Sequence, residues 1–141
     1  MANYFTIQEL CKSDTANKYK INNTPSSTVT AHLLELINFL NPLREAWGSA
    51  ICVTSGYRCS QLNKLVGGAS SSVHKIGYAA DLVPKNGRMN EFKKFVKNYL
   101  KDKKFDQCII EKNARGSEWI HIGLKNNWGL QRKQIFNLIT S

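Results

Sequence analysis

Two short stretches, far apart in the chain, need a fold that brings them together: SSVHKIGYAADL (Ser71 to Leu82) and SEWIHIGL (Ser117 to Leu124). The first carries His74, six intervening residues, and Asp81 at the start of an apolar run. The second carries Glu118 and, three residues on, His121 inside an apolar run. Two imidazoles and a carboxylate make a three-ligand set for zinc and leave a fourth position open, as a catalytic rather than a structural site requires. Glu118 is then the candidate base for a water at that position. This is not the HExxH helix, whose two His lie one turn apart. A lone His on a strand is ordinarily a packed or surface residue. Of the three here, His32, His74 and His121, two fall beside carboxylates in this way, and that concentration marks a site.

At 141 residues the chain reads as one domain, 1–141, long enough to bury an ordinary core. Its hydrophobic content of 42% argues against a disordered body. No apolar run is long enough for a membrane span. The start, MANYFTIQELCKSD, lacks the basic and apolar regions of a signal peptide, so the expectation is synthesis in a cytoplasm without the usual export. The four cysteines, Cys11, Cys52, Cys59 and Cys108, form no C-x-x-C pair and suggest neither a disulfide framework nor thiolate ligands. The net charge of +10 fits an anionic partner. No nucleic-acid recognition motif accompanies it, which points away from specific nucleic-acid binding.

Thr6-Ile7-Gln8-Glu9 reads as a capping box for a short helix. Val29, Leu33, Leu36, Ile37, Leu40 and Leu43 recur at helical spacing and predict a long helix from about Ser27 to Trp47. Pro42 is expected to kink or interrupt it near Asn38 to Asn41, and Gly48 to close it. His32 lies off the apolar stripe and reads as a surface residue. Strands are expected at Ala50–Thr54, Ala79–Val83, Gln107–Ile110 and Trp119–Leu124. Short and amphipathic helices are expected at Ser60–Val66 and around Phe92–Leu100. Gln131–Ile139 forms a last strand or a packed coil. Helices first, then mostly strands, predict an α+β domain with an antiparallel central sheet and flanking helices.

The motifs together resemble the zinc D-Ala-D-Ala carboxypeptidase family, which includes D-Ala-D-Ala dipeptidases and phage L-Ala-D-Glu endopeptidases. The S-x-H-x-x-G-x-A-x-D pattern is matched from Ser72 to Asp81, the downstream E-x-x-H by Glu118 to His121, and an upstream S-G-Y-R by Ser55 to Arg58. The likeness spans about Phe5 to Leu124. It implies the fold shared with hedgehog signalling domains, zinc held by His74, Asp81 and His121, and Glu118 as base. It also implies that Arg58 grips a substrate carboxylate or the developing oxyanion, and that Ser72 contacts substrate.

Trp119 is a candidate cleft wall, although core packing is the commoner use of a Trp. In a regular strand Trp119 and His121 share a face and Glu118 points the other way. Glu118 reaches the metal only from a turn or past a bulge, and Glu111 is the alternative base. The expected protein is a monomeric zinc peptidase that cuts stem peptides of bacterial peptidoglycan, most simply a phage lysis enzyme released to the wall from the host cytoplasm. The competing readings are a bacterial D-Ala-D-Ala carboxypeptidase or dipeptidase and a non-catalytic, zinc-stabilised wall-binding module.

Overall fold

The computed structural model describes residues 2–140. The helices are α1 (Ile7–Cys11), α2 (Asp14–Lys18), α3 (Ser27–Trp47), α4 (Ser60–Leu65) and α5 (Met89–Tyr99). The strands are β1 (Ile51–Ser55), β2 (Ala79–Pro84), β3 (Gln107–Lys112), β4 (Glu118–Gly123) and β5 (Gln134–Ile139), with 3-10 turns at Val73–Ile76 and Leu100–Asp102.

The caps explain where the early helices start. Thr6 accepts from the Glu9 amide at 3.1 Å, as the capping box predicts. Ser13 does the same for Ala16 at 3.1 Å and starts α2, a helix too short to show periodicity in the sequence. α3 runs unbroken through Pro42, so the expected interruption does not occur. A proline removes one amide, here the one that would serve the Asn38 carbonyl. Asn38 is exposed, and water can take that role.

The sheet order is β1-β2-β4-β3-β5. The first three pairings are antiparallel, but β5 lies parallel to β3. The expectation of an antiparallel sheet is thereby corrected to a mixed one. β2 and β3 occupy both edges of β4. A strand that reverses direction after β4 therefore finds its free edge on the far side of β3, where it runs parallel. β4 itself carries the chain back, so no helical crossover is needed.

Strand alternation gives the sheet two different faces. Ala80, Leu82, Cys108, Ile110, Ile120 and Ile122 belong to the main core, with Leu33, Leu36 and Leu40 of α3 and Phe92 and Val96 of α5. The opposite face receives Asp81, Glu111, Trp119 and His121, which alternate with those core residues along the same strands. Stability therefore rests largely on one face, and the other is free to carry polar chemistry.

An ion pair on a buried carboxylate pins the return to β5. The Asp106 carboxylate, 2% exposed, accepts from Arg132 Nε at 2.7 Å, Nη2 at 2.9 Å and the backbone amide at 3.1 Å. Burial alone would raise the Asp106 pKa, but the Arg132 hydrogen bonds outweigh it and hold it below the usual carboxylate range. A depressed folded pKa adds stability that is present above the unfolded value, about 3.9, and lost as pH falls through the folded one. Arg132→Ala should lower stability at neutral pH, because it leaves the buried Asp106 carboxylate without its guanidinium partner. Urea denaturation of both proteins should show the gap narrowing below about pH 4.

Candidate metal centre and active site

Asp81 and His121 are directly opposed on β2 and β4. His74 joins them from the 3-10 turn that precedes β2. His74 Nε2 lies 3.3 Å and His121 Nδ1 3.1 Å from Asp81 Oδ1. One donor atom from each of the three residues falls within 4.8 Å of the others.

The turn carrying His74 is built by its neighbours. Ser72 Oγ caps it by accepting from the His74 amide at 3.2 Å. Gly77 closes it at φ +86°, a conformation L side chains rarely adopt, and a Cβ there would meet Val29 Cγ1 and the Val29 carbonyl at 3.0 Å. His32 is not the free surface residue expected. It is partly buried, its Nδ1 meets the Ile76 carbonyl at 2.7 Å, and its ring stacks on Tyr78 at 4.1 Å. It braces the turn from α3.

His74 Nδ1 contacts the Gly56 carbonyl at 2.7 Å. A carbonyl only accepts, so Nδ1 must carry the proton. Burial lowers the His74 pKa against the opposing pull of Asp81, which favours the neutral ring. Nε2 then turns a lone pair, not a proton, toward the Asp81 oxygen. Two electron-rich atoms facing each other call for a cation between them, and this arrangement fits zinc. Burial would push the Asp81 pKa up, yet the carboxyl is held well below the usual range, ionised as a ligand must be.

Gly56 is indispensable to this anchor. A Cβ on it would stand 2.1 Å from the backbone oxygen of Leu10. Gly56→Ala should therefore displace the carbonyl that orients His74. It should cost about 1–3 kcal/mol or more in stability, since backbone yields poorly, and weaken zinc binding with it. Thermal unfolding and metal analysis of the variant check both effects.

Arg58 sits beside the cluster, its amide bonded to the His74 carbonyl at 3.1 Å. Its Nε is buried without a hydrogen-bond partner, and Nη2 reaches Ser72 Oγ only at 3.4 Å. No carboxylate among the described residues ion-pairs with it. Burial lowers its pKa while the nearby Asp81 and Glu111 charges raise it. Ser72, expected to touch substrate, is engaged by the turn and by Arg58.

The two candidate bases lie on opposite faces. Glu118 opens β4 as a regular strand residue opposite Lys112, and its carboxylate is ion-paired with Lys93 of α5. It does not enter the site, because neither a turn nor a bulge redirects it. Glu111 pairs with Trp119, and its neighbour Ile109 pairs with His121. Such diagonal neighbours are about 7–8 Å apart, so Glu111 stands next to His121 on the site face. Burial raises the Glu111 pKa, and the Asp81 charge adds to this, while His121 and Arg58 act against it. Trp119 shares this face, with its indole N–H donated to Glu111 at 3.1 Å.

Comparison with known families matches residues 3–123 to the family described as Peptidase M15. No curated protein matches the chain.

Proposed function

The chain belongs to the peptidase M15 family, and from that premise we propose that it is a zinc peptidase that hydrolyses a stem-peptide amide of bacterial peptidoglycan, with phage-driven lysis as its setting. One observation carries the reading: a three-donor cluster shares a sheet face with a carboxylate, Glu111, and borders a half-buried guanidinium that has no ion-pair partner among the described residues.

His74, Asp81 and His121 would hold the metal. When bound, zinc supplies a Lewis acid that polarises the scissile carbonyl and makes water acidic near neutral pH. Glu111 takes the proton of the attacking water and returns one to the departing amine. Its raised pKa suits this exchange, because a base must be ionised at rest and still basic enough to accept. Arg58 offers charged N–H donors to a substrate carboxylate or to the oxyanion that develops. The net charge of +10 draws the protein to an anionic wall. Among the described residues no helix is long and apolar enough to cross a membrane.

Arg58 also favours a second reading. A half-buried cation with no ion-pair partner among the described residues suits the C-terminal carboxylate that a D-Ala-D-Ala carboxypeptidase must recognise. Mass spectrometry of muropeptides digested by the zinc-loaded protein separates the two. An endopeptidase splits the stem internally, and a carboxypeptidase releases a single terminal residue. No new termini at all would overturn the peptidase reading.

Arg58→Ala should keep zinc and lose about 2–5 kcal/mol of transition-state binding on short muropeptides, with Lys failing to restore it because it lacks the planar fork. A defect confined to whole sacculi and sensitive to salt would instead assign Arg58 to wall attraction.

A further inference from the structure

The two candidate bases are held in different ways. Glu118 is ion-paired with the Lys93 ammonium. Glu111 is met by a neutral donor, the Trp119 indole, at 3.1 Å from one carboxylate oxygen, Oε2. We propose that Trp119 is a positioning residue, whose N–H fixes the rotamer of Glu111 and leaves the second oxygen turned to substrate. This rests on the reading of Glu111 as the base.

The geometry favours this role over a cleft wall. Glu111 and Trp119 are direct cross-strand partners, so their side chains emerge side by side from adjacent strands. No cation ion-pairs with Glu111 among the described residues, and the indole is the side chain that hydrogen-bonds it. A glutamate on a strand otherwise has several rotamers to explore, and a base misplaced by an ångström loses much of its effect. An indole suits the task because it donates one hydrogen bond and accepts none. It orients the carboxylate without placing a full positive charge beside it. An ammonium in its place would stabilise the ionised form of Glu111 and make it a poorer proton acceptor. Trp119 is itself fixed by β4, two residues before His121, so the base and one metal ligand are set by the same strand.

The test is a double-mutant cycle on the zinc-loaded protein, with Trp119→Phe, Glu111→Gln and the pair assayed on a muropeptide fragment. Phenylalanine keeps an aromatic ring and removes the N–H. In the Glu111 background, Trp119→Phe should retain zinc, leave KM within about twofold and lower kcat by about 10- to 100-fold, as for one hydrogen bond to a charged group. In the Glu111→Gln background the same change should do nothing further, because the group it positions is already disabled. A raised KM with unchanged kcat would overturn the proposal and make Trp119 a substrate wall. So would an equal loss in both backgrounds, which is how a general folding defect would appear. If Glu111→Gln alone keeps normal turnover, the base assignment itself has failed, an outcome separate from these two.

Discussion

Replacing His74, Asp81 or His121 with alanine should remove zinc and activity together. Each supplies one of three donors held within 4.8 Å, and outer partners of metal ligands already cost about 10- to 100-fold in affinity. Loss of a direct donor should exceed the upper end of that range. The chelated wild-type protein should be inactive and should regain turnover on adding about one zinc per chain. Zinc should also raise the melting temperature, because a ligand that binds only the folded state stabilises it by about 2.7 kcal/mol at a hundred times its Kd. Full turnover after chelation, with metal content verified as zero, would sink the metal assignment. Partial activity with another divalent ion would leave it intact, since such sites are seldom exclusive.

Glu111→Gln is expected to lower turnover by about 100-fold or more while zinc stays bound, the usual contribution of a general base. Glu118→Gln should leave turnover near normal and cost less than about 1 kcal/mol in stability, because its pair with Lys93 is partly exposed. The contrast matters more than either number. The spacing of the E-x-x-H motif points to Glu118, whereas strand alternation points to Glu111. Turnover of the two variants, measured at saturating substrate with zinc content matched, decides between them. Near-normal turnover in Glu111→Gln and collapse in Glu118→Gln would return the role to Glu118 and require a bulge in β4 that the regular register with β3 does not contain.

Much of this was readable from local pattern. The apolar stripe from Leu33 to Leu43 set the core face of α3, and the helix bears it out. Thr6 and Glu9 marked the start of α1. Strand periodicity set Trp119 and His121 on one face and Glu118 on the other, as the register of β3 and β4 bears out. His74, Asp81 and His121 were legible as a set because their residue types and flanking apolar runs are uncommon together. Other features left no local trace. The brace from His32 joins residues 44 positions apart, and the lack of an ion-pair partner for Arg58 among the described residues depends on which carboxylates fold near it.

The chain's own pattern, then, determined the elements, their buried faces and the donor types, because periods of 3.6 and 2 are written residue by residue. The tertiary structure decided which strands are neighbours and which carboxylate shares a face with the metal ligands. Neither is a local property. β5 runs parallel to β3 because both edges of β4 are taken, and Glu111 adjoins His121 because β3 pairs with β4 in one particular register. A shift of one residue in that register would turn Glu111 to the core face. Register is set by burying Cys108, Ile110, Ile120 and Ile122 against α3 and α5. The identity of the candidate base thus follows from hydrophobic packing on the opposite side of the sheet.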